Sequence, residues 1–330
     1  MSSNPTSTIK DKNILIIGGS GSLGTMLTKR YVKSNKIFIY SRGENNHWLM
    51  KQQFNNHPNL QFIVGDIRDK EQLETCVFKT RPNIIIIAAA LKHIDICESN
   101  VNESINTNIT GIQNIVDLIS HNSMINTIPF VEKVLFVSTD KACAPVNVYG
   151  MCKAISERIM VEKTQIIKSP KFINVRYGNV LTSRGSIIPF FNNIGKDKQI
   201  DHFPVTDDEM TRYFMTLDQS VDLIEYALQN CESGDTVVPK NIIGHKIMDI
   251  AKMFSKHYDK PIKIVGIRPG EKIHETLISF TESLRTINNG NYYIIKPSHH
   301  TVKNYMIFPE GEFNSKMACI DLDESFNYID

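Results

Sequence analysis

A chain of 330 residues with 41% hydrophobic content is long enough for one large domain or two, with a sizeable core. A formal charge of +2 is too small to build the field of a nucleic-acid groove or an anionic membrane surface, so neither partner is expected. The six cysteines (Cys76, Cys97, Cys143, Cys152, Cys231, Cys319) show no C-x-x-C pair and no Cys/His grouping at zinc spacing, which fits a reducing, cytoplasmic setting without a metal site.

The first twelve residues are polar and read as a flexible tail, and no apolar run reaches the length that spans a bilayer. From residue 13 onward, runs rich in Ile, Val and Phe at 13–17, 37–40, 60–64, 84–88 and 133–138 alternate with amphipathic stretches. They are too short for helices, so the rhythm predicts βαβ units, an α/β class and a parallel sheet covered by helices on both faces. Residues 151–168 have helical periodicity and 172–175 read as a sixth strand. After Arg176 the pattern breaks into shorter pieces, with 217–229 and 247–256 the clearest helices.

The segment ILIIGGSGSLGTML places Gly18, Gly21 and Gly24 directly after the first strand and at the start of the first helix. Glycines there let the backbone approach a pyrophosphate, whose charge sits against the helix N-terminus. This context predicts a dinucleotide site on a Rossmann-type, doubly wound sheet. The expected division is a flexible tail over 1–12, a cofactor domain over 13–176 and a smaller, mainly substrate-binding lobe over 177–330. That boundary is blurred, with room for the chain to cross back. The second strand ends in FIYSRGE, where Ser41 and Arg42 suit a 2′-phosphate and point to NADP. The alternative is a solvated Arg42 with Glu44 on the ribose. Asp66, in VGDIRD, is placed to reach the adenine.

Tyr149 and Lys153 form Y-x-x-x-K, which puts both side chains on one helix face. A neighbouring ammonium favours phenolate and can hold the nicotinamide ribose as well. The spacing itself is common: Tyr292 and Lys296 match it too, in a β-like run with no cofactor loop. Position sets Tyr149 apart, since its helix follows the fifth strand beside the expected nicotinamide, just after Ser138, Thr139, Asp140 and Lys141.

In order along the chain, the glycine loop, YSRGE, GDIRD, AAALKHIDICE, NTNITG, STDKA, NVYGMCK, RYGNV, SRGSIIPFF, MTRYF and IRPGEKIHE resemble the extended short-chain dehydrogenase/reductases. The closer resemblance is to their polysaccharide-biosynthesis branch, the inverting UDP-N-acetylglucosamine 4,6-dehydratases. It covers residues 13–280 and fades over the last fifty. It implies that Gly18, Ser20, Gly21, Ser22, Leu23, Gly24, Ser41, Arg42, Asp66, Ile67, Ala88, Lys92, Tyr149, Lys153 and Val180 line an NADP site. It also implies that Lys92, Asn108, Asn179, Thr206, Arg212, Arg268 and Glu271 meet the UDP-sugar, and that Thr139 joins Asp140, Lys141, Tyr149 and Lys153 in catalysis. Arginine suits bidentate contacts to a diphosphate, which gives Arg212 and Arg268 a physical purpose.

Such a dehydratase borrows its nicotinamide. Tyr149 takes the proton of the carbon 4 hydroxyl while hydride leaves, the new ketone acidifies carbon 5, water departs from carbon 6, and hydride returns there. Retaining relatives use an Asp-Glu pair for the elimination, and here the pair is Asp140 and Lys141. A lysine base requires a lowered pKa, from burial or from a cation such as Lys92 or Lys153, and an aspartic acid donor requires a raised one. The competing readings are a 4-epimerase or retaining dehydratase, which Lys141 opposes, and a non-catalytic nucleotide-sensing regulator, which needs none of the four proton-transfer residues. Cys143 and Cys152 read as packing residues, and the histidines, including His299 and His300, lack partners at ligand spacing. The expected partner is a UDP-sugar, and a homo-oligomer is expected.

Overall fold

Residues 14–17 are all aliphatic because the strand they form has no solvent face. Ile14 and Ile16 enter one buried cluster with Leu27 and Tyr31, while Leu15 and Ile17 enter another with Leu73 and Val77. A strand covered on both sides reads as an unbroken apolar run. The computed structural model describes residues 8–181, 186–300, 302, 306 and 308–322. Most of the expected tail (residues 1–7), residues 183–185 of the SRGSIIPFF segment and the final residues 323–330 lie outside the described residues.

The strands, in chain order, are β1 (Asn13–Ile17), β2 (Lys36–Ser41), β3 (Leu60–Val64), β4 (Ile84–Ile87), β5 (Lys133–Val137), β6 (Lys171–Val175), β7 (Asn179–Val180), β8 (Phe203–Val205), β9 (Thr211–Met215), β10 (Thr236–Pro239), β11 (Ile243–Lys246), β12 (Ile262–Ile264), β13 (Thr276–Ile278), β14 (Thr286–Asn289), β15 (Tyr292–Ile295) and β16 (Phe313–Asn314). The helices are α1 (Ser22–Tyr31), α2 (Glu44–Gln53), α3 (Lys70–Thr80), α4 (Ile94–Ser99), α5 (Val101–Ile105), α6 (Gly111–Met124), α7 (Val148–Lys163), α8 (Ile187–Lys196), α9 (Leu217–Asn230), α10 (Ile247–Tyr258) and α11 (Phe280–Ser283).

The main sheet runs β3-β2-β1-β4-β5-β6 in parallel, as a doubly wound α/β fold requires. Helices α1 and α9 cover one face, and α3, α6 and α7 the other. The strand order reverses between β1 and β4, so a crevice opens above their carboxyl ends, where such sheets bind ligands.

The chain after Arg176 does not stay outside this sheet. Strand β10 pairs in parallel with β6, and β15 and β14 extend the edge antiparallel, giving nine strands among the described residues. The remainder forms the smaller lobe, in which α8, α10, β8 and β9 pack around Phe191, Phe203, Phe214 and Phe254. Arg176 ties α7 to the C-terminal segment: its buried guanidinium bonds Glu157 on α7 (2.6 and 3.1 Å), Glu282 on α11 (3.0 Å twice) and the Leu277 carbonyl (2.7 Å). Removing one partner from such a network costs about 3–5 kcal/mol, because a buried charge is left unpaired.

Candidate functional site

A cleft of about 1390 Å³ lies above the carboxyl ends of β1, β2, β4 and β5 and runs on between the sheet and the smaller lobe. One arm is walled by the glycine loop. Gly18 has φ +80°, and a Cβ there would stand 2.5 Å from the Ala89 nitrogen, so only glycine lets β1 turn so close to the chain leaving β4. Helix α1 then begins with no side-chain cap and no acidic residue in its first turn, which leaves its positive end for an anion. Gly18, Ser20, Gly21, Ser22, Leu23, Gly24, Ser41, Arg42, Asp66, Ile67, Ala88 and Val180 all line the cleft.

At the far end of this arm, Ser41 Oγ lies 2.8 Å from Ser20 Oγ and 2.6 Å from His47 Nε2, which fastens the end of β2 to the glycine loop. Arg42 is on the wall with its side chain exposed, 4.0 Å from Asp66 Oδ2. The Asp66 carboxylate is itself gripped by Arg68, whose hydrogen bonds hold it below the usual carboxylate range. Glu44 is exposed at the start of α2 and is not on the wall. These residues fit a dinucleotide, with a guanidinium rather than a carboxylate at the end of β2.

Tyr149 and Lys153 reach the cleft from the first turns of α7. The helix comes close because Gly150 abuts the Lys141 carbonyl, where a Cβ would collide. Asn147 caps it, accepting from Gly150 N at 2.7 Å while donating to the Gly270 carbonyl at 2.8 Å. The expected effect of Lys153 on Tyr149 is not what the structure shows. Burial pushes the Tyr149 hydroxyl well up, and Asp140 adds to that, while a hydrogen bond with Thr139 draws it down. Lys153 donates to the Val137 carbonyl at 2.7 Å over the Phe136 ring at 4.2 Å, and burial lowers it to about 7. The groups that act on the Tyr149 hydroxyl besides burial are Asp140, Thr139 and Cys97.

Thr139, Asp140 and Lys141 form the turn after β5, and Asp140 N donates to the Tyr177 carbonyl at 2.9 Å. Thr139 Oγ1 donates to Asp140 Oδ1 at 2.8 Å, and Lys141 Nζ donates to the same oxygen at 3.0 Å. Hydrogen bonds thus join Thr139, Asp140 and Lys141, and Thr139 also acts on the Tyr149 hydroxyl. The Asp140 carboxyl is fully buried behind the wall, and among the described residues its Oδ2 has no hydrogen-bond partner. Burial raises it above the carboxylate range, as an acid donor requires. Lys141 corrects the sequence reading. Burial works against its ammonium, but Asp140 and Glu275 outweigh burial and hold it above the ordinary lysine value. Arg212 is the cation that acts at Lys141, in place of the expected Lys92 or Lys153.

The second arm carries Lys92, Asn179, Thr206, Arg212, Arg268 and Glu271. Arg212 is nearly buried, braced on the Thr211 and Ile273 carbonyls at 2.7 and 3.1 Å, whereas Arg268 is mostly exposed and paired with Glu271. Asn108 is a second correction. It is buried off the wall, with Nδ2 donating to the Leu91 carbonyl at 2.9 Å and Oδ1 accepting from Leu91 N at 2.8 Å. Both ends of the amide are consumed in holding the segment that presents Lys92.

Sequence reading passed over Glu275, His47, Arg68 and Asn147. Glu275 is the last letter of IRPGEKIHE, and nothing in its spacing separates a buried carboxylate from a solvated one. The reading of Cys143 and Cys152 as packing residues agrees with their burial, which pushes both thiols up, Cys152 to about 11. Tyr292 stacks on Tyr226 and Lys296 pairs with Asp235, so that second Y-x-x-x-K match is structural. Among the described residues no His, Cys, Asp and Glu grouping could hold a metal, and no helix is long and apolar enough to cross a membrane.

The UDP-N-acetylglucosamine 4,6-dehydratase (inverting) of Campylobacter jejuni is 40% identical over 292 residues, covering 87% of this chain and 83% of that protein. The UDP-glucose 4-epimerase of Rickettsia bellii is 35% identical over 327 residues, covering 96% and 92%. The solved structure of Pen from Bacillus thuringiensis superimposes with a TM-score of 0.85 at 31% identity over 95% of each chain. The sequence pattern of one family, described as polysaccharide biosynthesis protein, matches residues 14–297. With that match spanning the whole cleft, the chain belongs to the polysaccharide biosynthesis protein family.

Proposed function

We propose that the protein is an NADP-dependent, configuration-inverting UDP-N-acetylglucosamine 4,6-dehydratase, a hydro-lyase making UDP-2-acetamido-2,6-dideoxy-L-arabino-hex-4-ulose. The observation that carries this reading is Lys141, on the cleft wall and 3.0 Å from the buried Asp140 carboxyl. Elimination of water needs a base at carbon 5 and an acid at carbon 6, whereas moving hydride at carbon 4 alone needs only a base for the carbon 4 hydroxyl. The cleft, at about 1390 Å³, exceeds the roughly 300–1,000 Å³ of a pocket for one drug-sized ligand, which supports two ligands lying end to end. The Campylobacter jejuni relative is an inverting dehydratase of this sugar nucleotide, and its 40% identity supports the same substrate here.

The glycine loop would hold NADP and Arg42 its 2′-phosphate, and the nicotinamide would supply hydride acceptance and return. Tyr149 takes the carbon 4 hydroxyl proton as its own phenolic proton passes on through Thr139, which donates to Asp140. Lys141 acts once it has shed the proton that Asp140 and Glu275 hold on it: as amine it removes the carbon 5 hydrogen, and Asp140, as acid, protonates the departing carbon 6 hydroxyl. The pair therefore passes from carboxyl and amine to carboxylate and ammonium with its net charge unchanged, which suits a buried site where an added charge is costly. Lys141 then returns the proton to carbon 5 on the opposite face. Arg212 and Arg268 hold the diphosphate.

A cytoplasmic homo-oligomer is part of the same proposal, supported by exposed Ile96, Val101, Met151 and Ile155 on the neighbouring helices α4, α5 and α7. A 4-epimerase is the second reading, favoured by the Rickettsia bellii relative. Incubation with UDP-N-acetylglucosamine in deuterated water, followed by NMR, decides between them. The dehydratase yields a 6-deoxy-4-keto sugar carrying deuterium at carbon 5. A carbon 4 epimer without that label establishes the epimerase, and bound cofactor without turnover on any UDP-sugar establishes a nucleotide sensor.

A further inference from the structure

Glu275 stands just before β13 and is buried, yet it faces three cations. Lys141 Nζ is 3.3 Å from its Oε1, Arg212 Nε is 3.8 Å from the same oxygen, and Lys272 Nζ is 4.0 Å from Oε2. Its backbone is clamped on both sides by one residue of the C-terminal segment. Glu275 N donates to Ser315 Oγ at 2.9 Å, its carbonyl accepts from Ser315 N at 2.7 Å, and Ser315 Oγ lies 2.6 Å from Thr211 Oγ1 on the strand that carries Arg212. Residues 313–315 lie beyond the family match at 14–297, so the clamp comes from a part of the chain that the family pattern does not reach.

We propose that Glu275 is a positioning residue that holds the Lys141 ammonium beside Asp140 and separates it from the Arg212 guanidinium, with Ser315 fixing the carboxylate in place. This inference rests on the reading of Asp140 and Lys141 as the proton-transfer pair. The charged and titratable groups around Lys141 are Asp140 on its own turn, Arg212 on β9, and Glu275 and Lys272 on the segment before β13. Tyr149 on α7 and Tyr213 on β9 face Asp140. When Asp140 carries its proton, the largest attraction on the Lys141 ammonium is gone and Glu275 alone opposes burial and Arg212. Glu275 thereby sets how readily Lys141 gives up and regains a proton during the cycle.

Trace labelling of Lys141 with acetic anhydride over a range of pH, read by mass spectrometry of its peptide, reports its protonation without turnover. Glu275→Gln should lower the Lys141 midpoint by about one pH unit or more, and move the acidic limb of kcat the same way. Glu275→Asp keeps the charge and should restore most of both. An unmoved midpoint in folded Glu275→Gln protein overturns the inference. Should that variant not fold, Ser315→Ala is read instead, with a lower midpoint expected and an unchanged one overturning the inference. A shifted midpoint in a protein that does not dehydrate UDP-N-acetylglucosamine keeps the role of Glu275 and rejects the function. Dehydration with an unmoved midpoint does the reverse.

Discussion

Lys141 Nζ lies 3.0 Å from Asp140 Oδ1, while Asp140 Oδ2 is buried with no hydrogen-bond partner among the described residues. A carboxylate left half-satisfied in the interior is costly, and the cost falls when the group is protonated. The geometry therefore favours an acid at Asp140, and whichever of the two holds the proton, the other is ready to exchange it.

The two residues can be separated by experiment. Lys141→Met should abolish both dehydration and incorporation of solvent deuterium at carbon 5, with kcat down by about 10²–10⁴. Asp140→Asn should lose dehydration to a similar degree but still return substrate labelled at carbon 5, because the base is intact and only the acid is missing. NMR of the recovered sugar reads both. Equal loss of labelling in the two variants would contradict the division of labour.

Arg42 gives a test of cofactor choice. It is the cation on the wall at the end of β2, and Glu44, the residue that would serve a ribose hydroxyl, lies off the wall. Arg42→Ala should weaken NADPH by about tenfold or more, roughly 1.5–3 kcal/mol for a charge-assisted contact, and leave NADH nearly unchanged. Fluorescence titration of both nucleotides checks it, and a parallel loss for NADH would return the arginine to a solvated role.

Lys153 carries a pH prediction for the cofactor-free protein. Burial lowers it from 10.5 to about 7. Between those values the unfolded chain holds a proton that the folded chain lacks, so this residue makes stability rise with pH across that window. Its penalty is full below about 7 and absent above about 10.5. Lys153→Met removes the penalty, so thermal melts should show a gain in Tm that is largest in mild acid and fades toward alkaline pH, together with loss of turnover. A gain of equal size at every pH would contradict the sign.

Local sequence determined a great deal here. Aliphatic runs buried on both faces, glycines at a strand-to-helix turn and a polar cap before α7 each act through near neighbours in the chain, so β1 to β6, the cofactor loop and the place of Tyr149 were legible. Lys141, adjacent to Asp140, was legible for the same reason. The return of β10, β14 and β15 to the sheet is a long-range pairing, and no local period encodes it. Burial and charge balance are likewise set by residues distant in sequence. Only the tertiary structure turned Asn108 inward onto Leu91, aimed Lys153 at the Val137 carbonyl, and brought Glu275 and Ser315 against the turn that carries Lys141. The sequence by itself determined that Asp140, Lys141, Tyr149 and Lys153 stand together where β5 hands over to α7. The fold decided their charge, because desolvation and Coulomb attraction depend on the distances between side chains.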